Sequence, residues 1–200
     1  MKFFYAATIM LIMLCTQASA TVITTQFTSN NNHTGNMFDL TNISGSAIEL
    51  TGVFEGNFRG GTSGSIDVWY RTGTYVGNTG SAVGWTLLGS SLYTSLGSNV
   101  ATGFDLGNSL NVGSGDVIGL YFLSSVRASI LYTNGANSYN DGTVQLDLGI
   151  GTNEVAFSGV SFSPRTWNGS IEYSAVPEPA PLALLGLGLM GLGLMRKRRG

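Results

Sequence analysis

The chain has 200 residues and a formal net charge of −2, and only 10% of its residues are charged. That length fits one domain with short flanking segments. Residues 21–176 carry ten carboxylates, four arginines and no lysine, a net charge of about −6. Such a surface repels nucleic acid, because binding to a phosphate backbone depends on cationic side chains.

The first twenty residues have the pattern of an export signal. One lysine is followed by the apolar run FFYAATIMLIMLC, and the small residues Ala18 and Ala20 form a cleavage site. We therefore predict a signal peptide over 1–20 and a mature protein that begins at Thr21. Cys15 is not preceded by the small residue that a lipobox needs, so no lipid anchor is expected. Removal of residues 1–20 leaves no cysteine and hence no disulfide.

Residues 21–175 consist of short segments in which apolar and polar residues alternate, separated by Gly, Asn and Ser clusters. This period of two is typical of half-buried β-strands, and no glycine-free stretch has three turns of helical periodicity. We predict an all-β domain, an antiparallel β-sandwich of jelly-roll or galactose-binding-like form. Strands are expected around residues 48–55, 65–71, 117–123, 143–148 and 167–173, and at 22–28, 36–41, 84–93, 101–106, 128–133 and 154–162.

Four phrases of this domain are similar to a β-sandwich module that recurs in secreted and surface proteins of bacteria. They are MFDLTN at 37–42, VWYRTGTYVG at 68–77, WTLLGS at 85–90 and FSPRTWNGSIEYS at 162–174. The resemblance implies a sandwich fold and an extracellular compartment. It implies no particular activity.

The domain offers little for catalysis. His33 is the only histidine and has no partner at ligand spacing, so neither a zinc site nor a serine triad is expected. A glycosidase needs only two carboxylates, but most candidates lie on the polar face of an alternating strand, where solvation is the default. These candidates are Glu49, Glu55, Asp67, Asp147, Glu154 and Glu172. We expect the protein not to be an enzyme.

Two weaker binding hypotheses remain open. Asn137, Asn140 and Asp141 are oxygen donors in a Gly-rich stretch, where a structural calcium is an option although a tight turn is the commoner outcome. No other metal or cofactor is expected. Trp69 and Trp85 are candidate glycan contacts, because exposed aromatic rings beside charged groups can stack on sugars. Trp69 shares the outward face of its strand with Asp67 and Arg71, whereas Val68 and Tyr70 are expected on the inward face. The alternative function is therefore a carbohydrate-binding or adhesive module.

The last 25 residues have three parts. Pro177, Glu178 and Pro179 form an extended box, since proline cannot donate to a helix or a central strand. Residues 180–195 carry no charge and would span roughly 24 Å as a helix, slightly short of a bilayer core. The cations Arg196, Lys197, Arg198 and Arg199 follow and are expected to stay in the cytoplasm. The upstream domain then lies across the membrane.

This ending resembles the PEP-CTERM sorting signal of Gram-negative bacteria, in which a Pro-Glu-Pro box, an apolar span and a basic cluster follow each other over 176–200. The resemblance implies that the protein is held in the inner membrane facing the periplasm, cut near the box by an exosortase and delivered to the cell surface or the medium. It also implies a link to exopolysaccharide and a biofilm matrix. The other interpretation is a plain membrane anchor that is never cut.

Overall fold

The structure is a computed structural model that describes residues 19–135, 137–153, 155–159 and 161–177, and it is built from strands. The strands are β1 (Ala20–Thr24), β2 (Asn31–His33), β3 (Gly35–Asn42), β4 (Ile48–Asn57), β5 (Ser63–Thr72), β6 (Thr86–Thr94), β7 (Ala101–Asp105), β8 (Leu110–Val112), β9 (Val117–Ser124), β10 (Ile130–Asn134), β11 (Ser138–Asn140), β12 (Val144–Thr152), β13 (Ser161–Phe162), β14 (Arg165–Trp167) and β15 (Gly169–Ala175).

These strands form three sheets, and every pairing between them is antiparallel. The five-stranded sheet has the order β1-β15-β4-β7, with β8 also paired to β4. The seven-stranded sheet has the order β11-β12-β3-β9-β5-β6, with β13 paired to β12. A three-stranded sheet of order β14-β10-β2 completes the fold. The prediction of an all-β antiparallel sandwich is confirmed, and the strand order that alternation left open is now defined.

The main core lies between the inward faces of the two larger sheets. On β4, Leu50 and Phe54 are buried, and on β9, Leu120 and Phe122 are buried. The ring of Phe54 meets that of Phe122 edge to face, with centroids 5.3 Å apart. Each fully buried side chain of this size contributes about 1.5–3 kcal/mol. Trp167 of the three-stranded sheet stacks on Phe122 at 4.8 Å, so this small sheet shares the same core.

The last strand holds the two large sheets together. Within β15, Ile171 and Tyr173 are buried in the main core. The Tyr173 hydroxyl donates a 2.8 Å hydrogen bond to Asp141, in the turn before β12 of the seven-stranded sheet. Burial and this bond to a carboxylate raise the pKa of Tyr173 to about 12, because both disfavour the phenolate. The strand that precedes the Pro-Glu-Pro box is therefore an integral part of the sandwich.

One predicted strand is wrong. Residues 155–159 of the expected strand 154–162 form a turn, in which Ser158 N donates to Val155 O at 3.3 Å and Phe157 has a φ of 55°. The apolar residue Phe157 satisfied the alternating pattern, but its ring packs at right angles on Trp69 instead. Conversely, two stretches rich in turn-forming residues, 30–35 and 133–142, contain β2 and β11.

Candidate functional site

The end of the five-stranded sheet from which both chain termini leave is called the terminal rim; it comprises Ala20, Ala47 and residues 175–177. Ala20, the first residue of β1, lies opposite Ser174 of β15. Beyond the end of β15, Val176 N still donates to Ala47 O at 3.0 Å, and Pro177 is exposed. The Pro-Glu-Pro box therefore begins directly at the sheet, without a linker.

The outward face of the seven-stranded sheet carries a second apolar cluster, called the outer cluster. Cross-strand pairing places Trp69 opposite Tyr121, Tyr121 opposite Met37, and Met37 opposite Ile150. As the sequence predicts, Trp69 lies on the outward face, whereas Tyr70 packs against the main core. The outer cluster consists of Met37, Trp69, Tyr75, Trp85, Tyr121, Leu123, Ile150 and Phe157.

The chain between β5 and β6 covers this cluster. Trp85 is only 7% exposed, and its indole N–H donates to Asn78 O at 2.9 Å. Its ring packs 5.6 Å from Phe157, and the guanidinium of Arg71 lies 5.7 Å from the ring centroid. The expectation of an outward glycan-stacking face at Trp85 therefore does not fit the structure, because the ring is covered by its own loop. Trp69 is half-buried by the same arrangement.

A polar row lies beside the outer cluster and anchors the covering loop. Asp39 accepts hydrogen bonds from Thr74 Oγ1 at 2.5 Å and from the Tyr75 N–H at 2.9 Å. Burial raises the pKa of Asp39, and these bonds and the charge of Arg71 only partly oppose that shift. Its cross-strand neighbour is Asp147. Asp39 was missed by sequence reasoning, because its role arises from pairing across strands and from a loop that folds back onto it.

One open concavity of the described domain is called the distal cleft. It has a volume of about 210 Å³ and is lined by Thr34, Ser65, Asp67, Leu123, Ser124, Ser125 and Arg127. The cleft thus combines one carboxylate, one guanidinium and several hydroxyls with an apolar patch from Leu123. Only Asp67 of this group was singled out from the sequence, because the others come from the β9–β10 connection and from strand ends.

A family model described as the PEP-CTERM protein-sorting motif matches residues 175–199. The chain carries a PEP-CTERM sorting motif. The motif starts at Ala175, which is the last residue of β15, so the match begins where the folded sheet ends. No curated protein matches the chain.

Much of the PEP-CTERM motif lies outside the described residues. Glu178, Pro179 and the basic residues 196–199 fall there, as does Ala18 of the predicted signal cleavage site. In the part of the chain that the structure describes, no helix is long and apolar enough to cross a membrane. The predicted membrane segments, 1–20 and 180–195, are outside that part almost entirely, so both stay predictions.

The stretch considered for calcium is a tight turn. Asn140 Oδ1 accepts from Gly142 N, and Asp141 Oδ1 accepts from the backbone N–H groups of Thr143 and Val144. Its other carboxylate oxygen accepts from Tyr173. One Asp141 carboxylate oxygen thus stabilises the turn, and the other accepts the hydrogen bond that joins the two large sheets. Among the described residues, no group of three or more His, Cys, Asp or Glu side chains could hold a metal.

His33 belongs to an aromatic column on the three-stranded sheet. Its ring stacks on Tyr132 with centroids 4.9 Å apart and on Phe162 at 4.4 Å. The guanidinium of Arg165 covers Tyr132 at 5.5 Å and donates to its hydroxyl. Burial first and the positive charge of Arg165 second lower the pKa of His33, because both disfavour the imidazolium. Its position in the column thus favours the neutral imidazole over the imidazolium.

We expect the stability of the exported protein to fall as the pH is lowered below about 6.5, the ordinary pKa of histidine. The unfolded imidazole takes up its proton at a higher pH than the folded one, so acid favours the unfolded state. The measurement is the urea midpoint from pH 8 to pH 5. His33→Phe keeps a ring in the column and removes the titration, so the difference between the two curves isolates His33. A difference that does not vary with pH would contradict the expectation.

Proposed function

We propose that this protein is an exported, non-enzymatic surface protein that an exosortase processes at its carboxyl-terminal motif, and that its domain serves an exopolysaccharide-rich matrix. The observation that carries the proposal is the PEP-CTERM match over 175–199, which begins at the end of β15. A protein with this motif is exported and held at the membrane before processing. The link to exopolysaccharide is the part of the proposal that rests on the association of such motifs with matrix production.

The terminal rim supports this order of events. Because Ala20 pairs with Ser174, the amino-terminal end and the sorting box leave the sandwich side by side. Both predicted membrane segments can therefore be joined to one end of a folded domain.

The position of the box also constrains the exosortase. The backbone bond from Val176 N to Ala47 O holds the chain one residue before Pro177. Pro177, the first residue of the box, is therefore the second residue after the end of β15. A proline-rich sequence favours an extended chain, and this lowers the entropy that binding in a cleft would cost. We infer that the enzyme works close to the terminal rim.

The non-enzymatic part of the proposal is supported by the use of the carboxylates. Both oxygens of Asp39 accept bonds from the covering loop. Its neighbour Asp147 accepts from Ser138 and from Gln145. This pair is thus engaged in holding the outer face, whereas a glycosidase needs one carboxyl group free to protonate a leaving group and one facing the sugar.

The test is the intact mass of the protein from cells with and without the exosortase. We expect a species that begins at Thr21 and ends near 177–179 only when the enzyme is present, and no such species for the variant Pro177→Ser/Pro179→Ser. Pro181→Ser, which changes a proline just outside the box, is the matched control and should be processed normally. A species that retains Arg196 to Gly200 in both strains would identify a plain membrane anchor and overturn the proposal.

A further inference from the structure

The chemistry of the distal cleft suits a ligand that carries several hydroxyl groups. Asp67 Oδ1 accepts from Ser90 Oγ at 2.5 Å, and an ionised carboxylate has further lone pairs with which it can accept hydrogen bonds. Ser125 Oγ accepts from Ser65 N, and Thr34 Oγ1 accepts from Ala128 N, so both hydroxyls keep a proton to donate. The cleft thus offers acceptors and donors at once, as recognition of a sugar ring requires.

The shape of the distal cleft points to a single ring rather than a large ligand. Its volume of about 210 Å³ is below the range of about 300–1,000 Å³ typical of sites for drug-sized molecules. Leu123 gives it an apolar patch against which the C–H face of a sugar can pack. A longer chain attached to that ring would continue into solvent on either side.

The charge of the distal cleft favours a neutral ligand. Asp67 and Arg127 line it with opposite signs. The domain as a whole carries ten carboxylates against four arginines, so its field repels polyanions. A polysaccharide of neutral sugars avoids this repulsion and still donates hydrogen bonds to the Asp67 carboxylate, which are stronger because one partner is charged.

The distal cleft lies at the opposite end of the sandwich from the terminal rim. The rim can be followed from the five-stranded sheet to the seven-stranded sheet. Ala175 pairs with Ile48, and Ile48 pairs with Val112. The carbonyl oxygen of Val112 accepts a hydrogen bond from the side chain of Asn42, at the rim end of β3. From there β9 runs from Val117 to Ser124, which lines the cleft. Seven steps of about 3.4 Å separate the two ends by roughly 24 Å. A copy joined to the cell by its carboxyl terminus would present this cleft outward.

We propose that the distal cleft binds one residue of a neutral polysaccharide. Hydroxyls of the sugar donate to Asp67 and accept from Ser125 and Thr34, and a C–H face packs on Leu123. This site replaces the covered Trp85 as the glycan contact, and it does not depend on whether the exosortase acts on the box.

The experiment is saturation-transfer NMR and calorimetry of the exported protein with a defined panel. The panel consists of the neutral tetrasaccharides of glucose, mannose and galactose and the acidic trimer of galacturonate. We expect at least one neutral oligosaccharide to bind and Asp67→Asn to weaken it about tenfold or more, the loss of one charge-assisted hydrogen bond. The matched control is Glu55→Gln, on β4 of the other large sheet, which should bind like the parent.

Three results would overturn the proposal. These are no binding by any of the neutral oligosaccharides, binding by the acidic trimer alone, and binding that Asp67→Asn leaves unchanged. Equal thermal unfolding of Asp67→Asn and Glu55→Gln would show that the comparison reports on the cleft and not on folding. Processing at the box can be followed in the same samples by intact mass, so failure of the sorting proposal and failure of this one are distinguishable.

Discussion

Gly52→Ala is expected to lower the free energy of unfolding by about 3 kcal/mol or more. Gly52 has a φ of 85°, a conformation that side chains with a Cβ avoid, and an added Cβ would lie 2.1 Å from the backbone oxygen of Asn108. It sits in β4 between the part that pairs with β8 and the part that pairs with β7, and its carbonyl accepts from Leu106 N. The alanine would therefore be strained and would also push one strand connection away.

The matched control for this prediction is Gly103→Ala. Gly103 lies in β7 opposite Glu55, and an added Cβ would meet nothing within 4 Å. Its effect should stay within about 0.5 kcal/mol, as for most surface changes. The urea midpoint of each exported variant measures both effects. Equal midpoints for the two alanine variants would show that the fold does not require the positive φ of Gly52 or its close approach to Asn108.

Trp167→Ala is expected to cost about 3–5 kcal/mol, the range for removal of a large aromatic side chain from a core. Trp167 is 1% exposed and stacks on Phe38 at 5.1 Å and on Phe122 at 4.8 Å. Together with Ile130 of β10, it carries the three-stranded sheet into the main core. A loss of this size is a large fraction of the about 5–15 kcal/mol that stabilises a folded domain, so the exported variant should unfold at a clearly lower temperature than the parent.

The outer cluster supplies the comparison for Trp167→Ala. Trp69 is half-buried and meets Phe157 at right angles with centroids 5.4 Å apart. Because only part of its ring is removed from water, Trp69→Ala should cost about 1 kcal/mol. Thermal unfolding of both variants tests the difference. Similar losses for the two tryptophans would mean that the outer cluster is part of the main core and not a separate cover.

The sequence was sufficient for the class of fold, because the period of two is a local property of each segment. Val68 and Tyr70 were assigned inward and Trp69 outward from alternation alone, and the structure agrees. The same rule failed at Phe157, where an apolar residue in an alternating stretch packs on a distant strand from within a turn. Alternation states which way a residue points only when the residue is in a strand.

The candidate sites also differ in whether they depend on local sequence or on strand pairing. The box at Pro177 was visible in the sequence, because the order of prolines, apolar run and cations is a linear pattern. The distal cleft was not, because Thr34, Asp67 and Arg127 come from three separate elements that only strand pairing brings together. Trp85 was selected as an exposed glycan contact, but its ring is covered. Nothing in the sequence shows that Asn78 and Phe157 pack against it.

The position of β15 has a mechanical consequence. It is hydrogen-bonded on both sides, to β1 and to β4, and the next residue, Val176, is still bonded to Ala47. A pull between a tethered carboxyl terminus and a ligand at the far end runs along the strands, so all the bonds of β15 share the load in shear. A pull that separates the two neighbouring termini would instead peel β1 from β15 one bond at a time. The domain would thus resist tension from outside the cell far better than tension applied between its own ends.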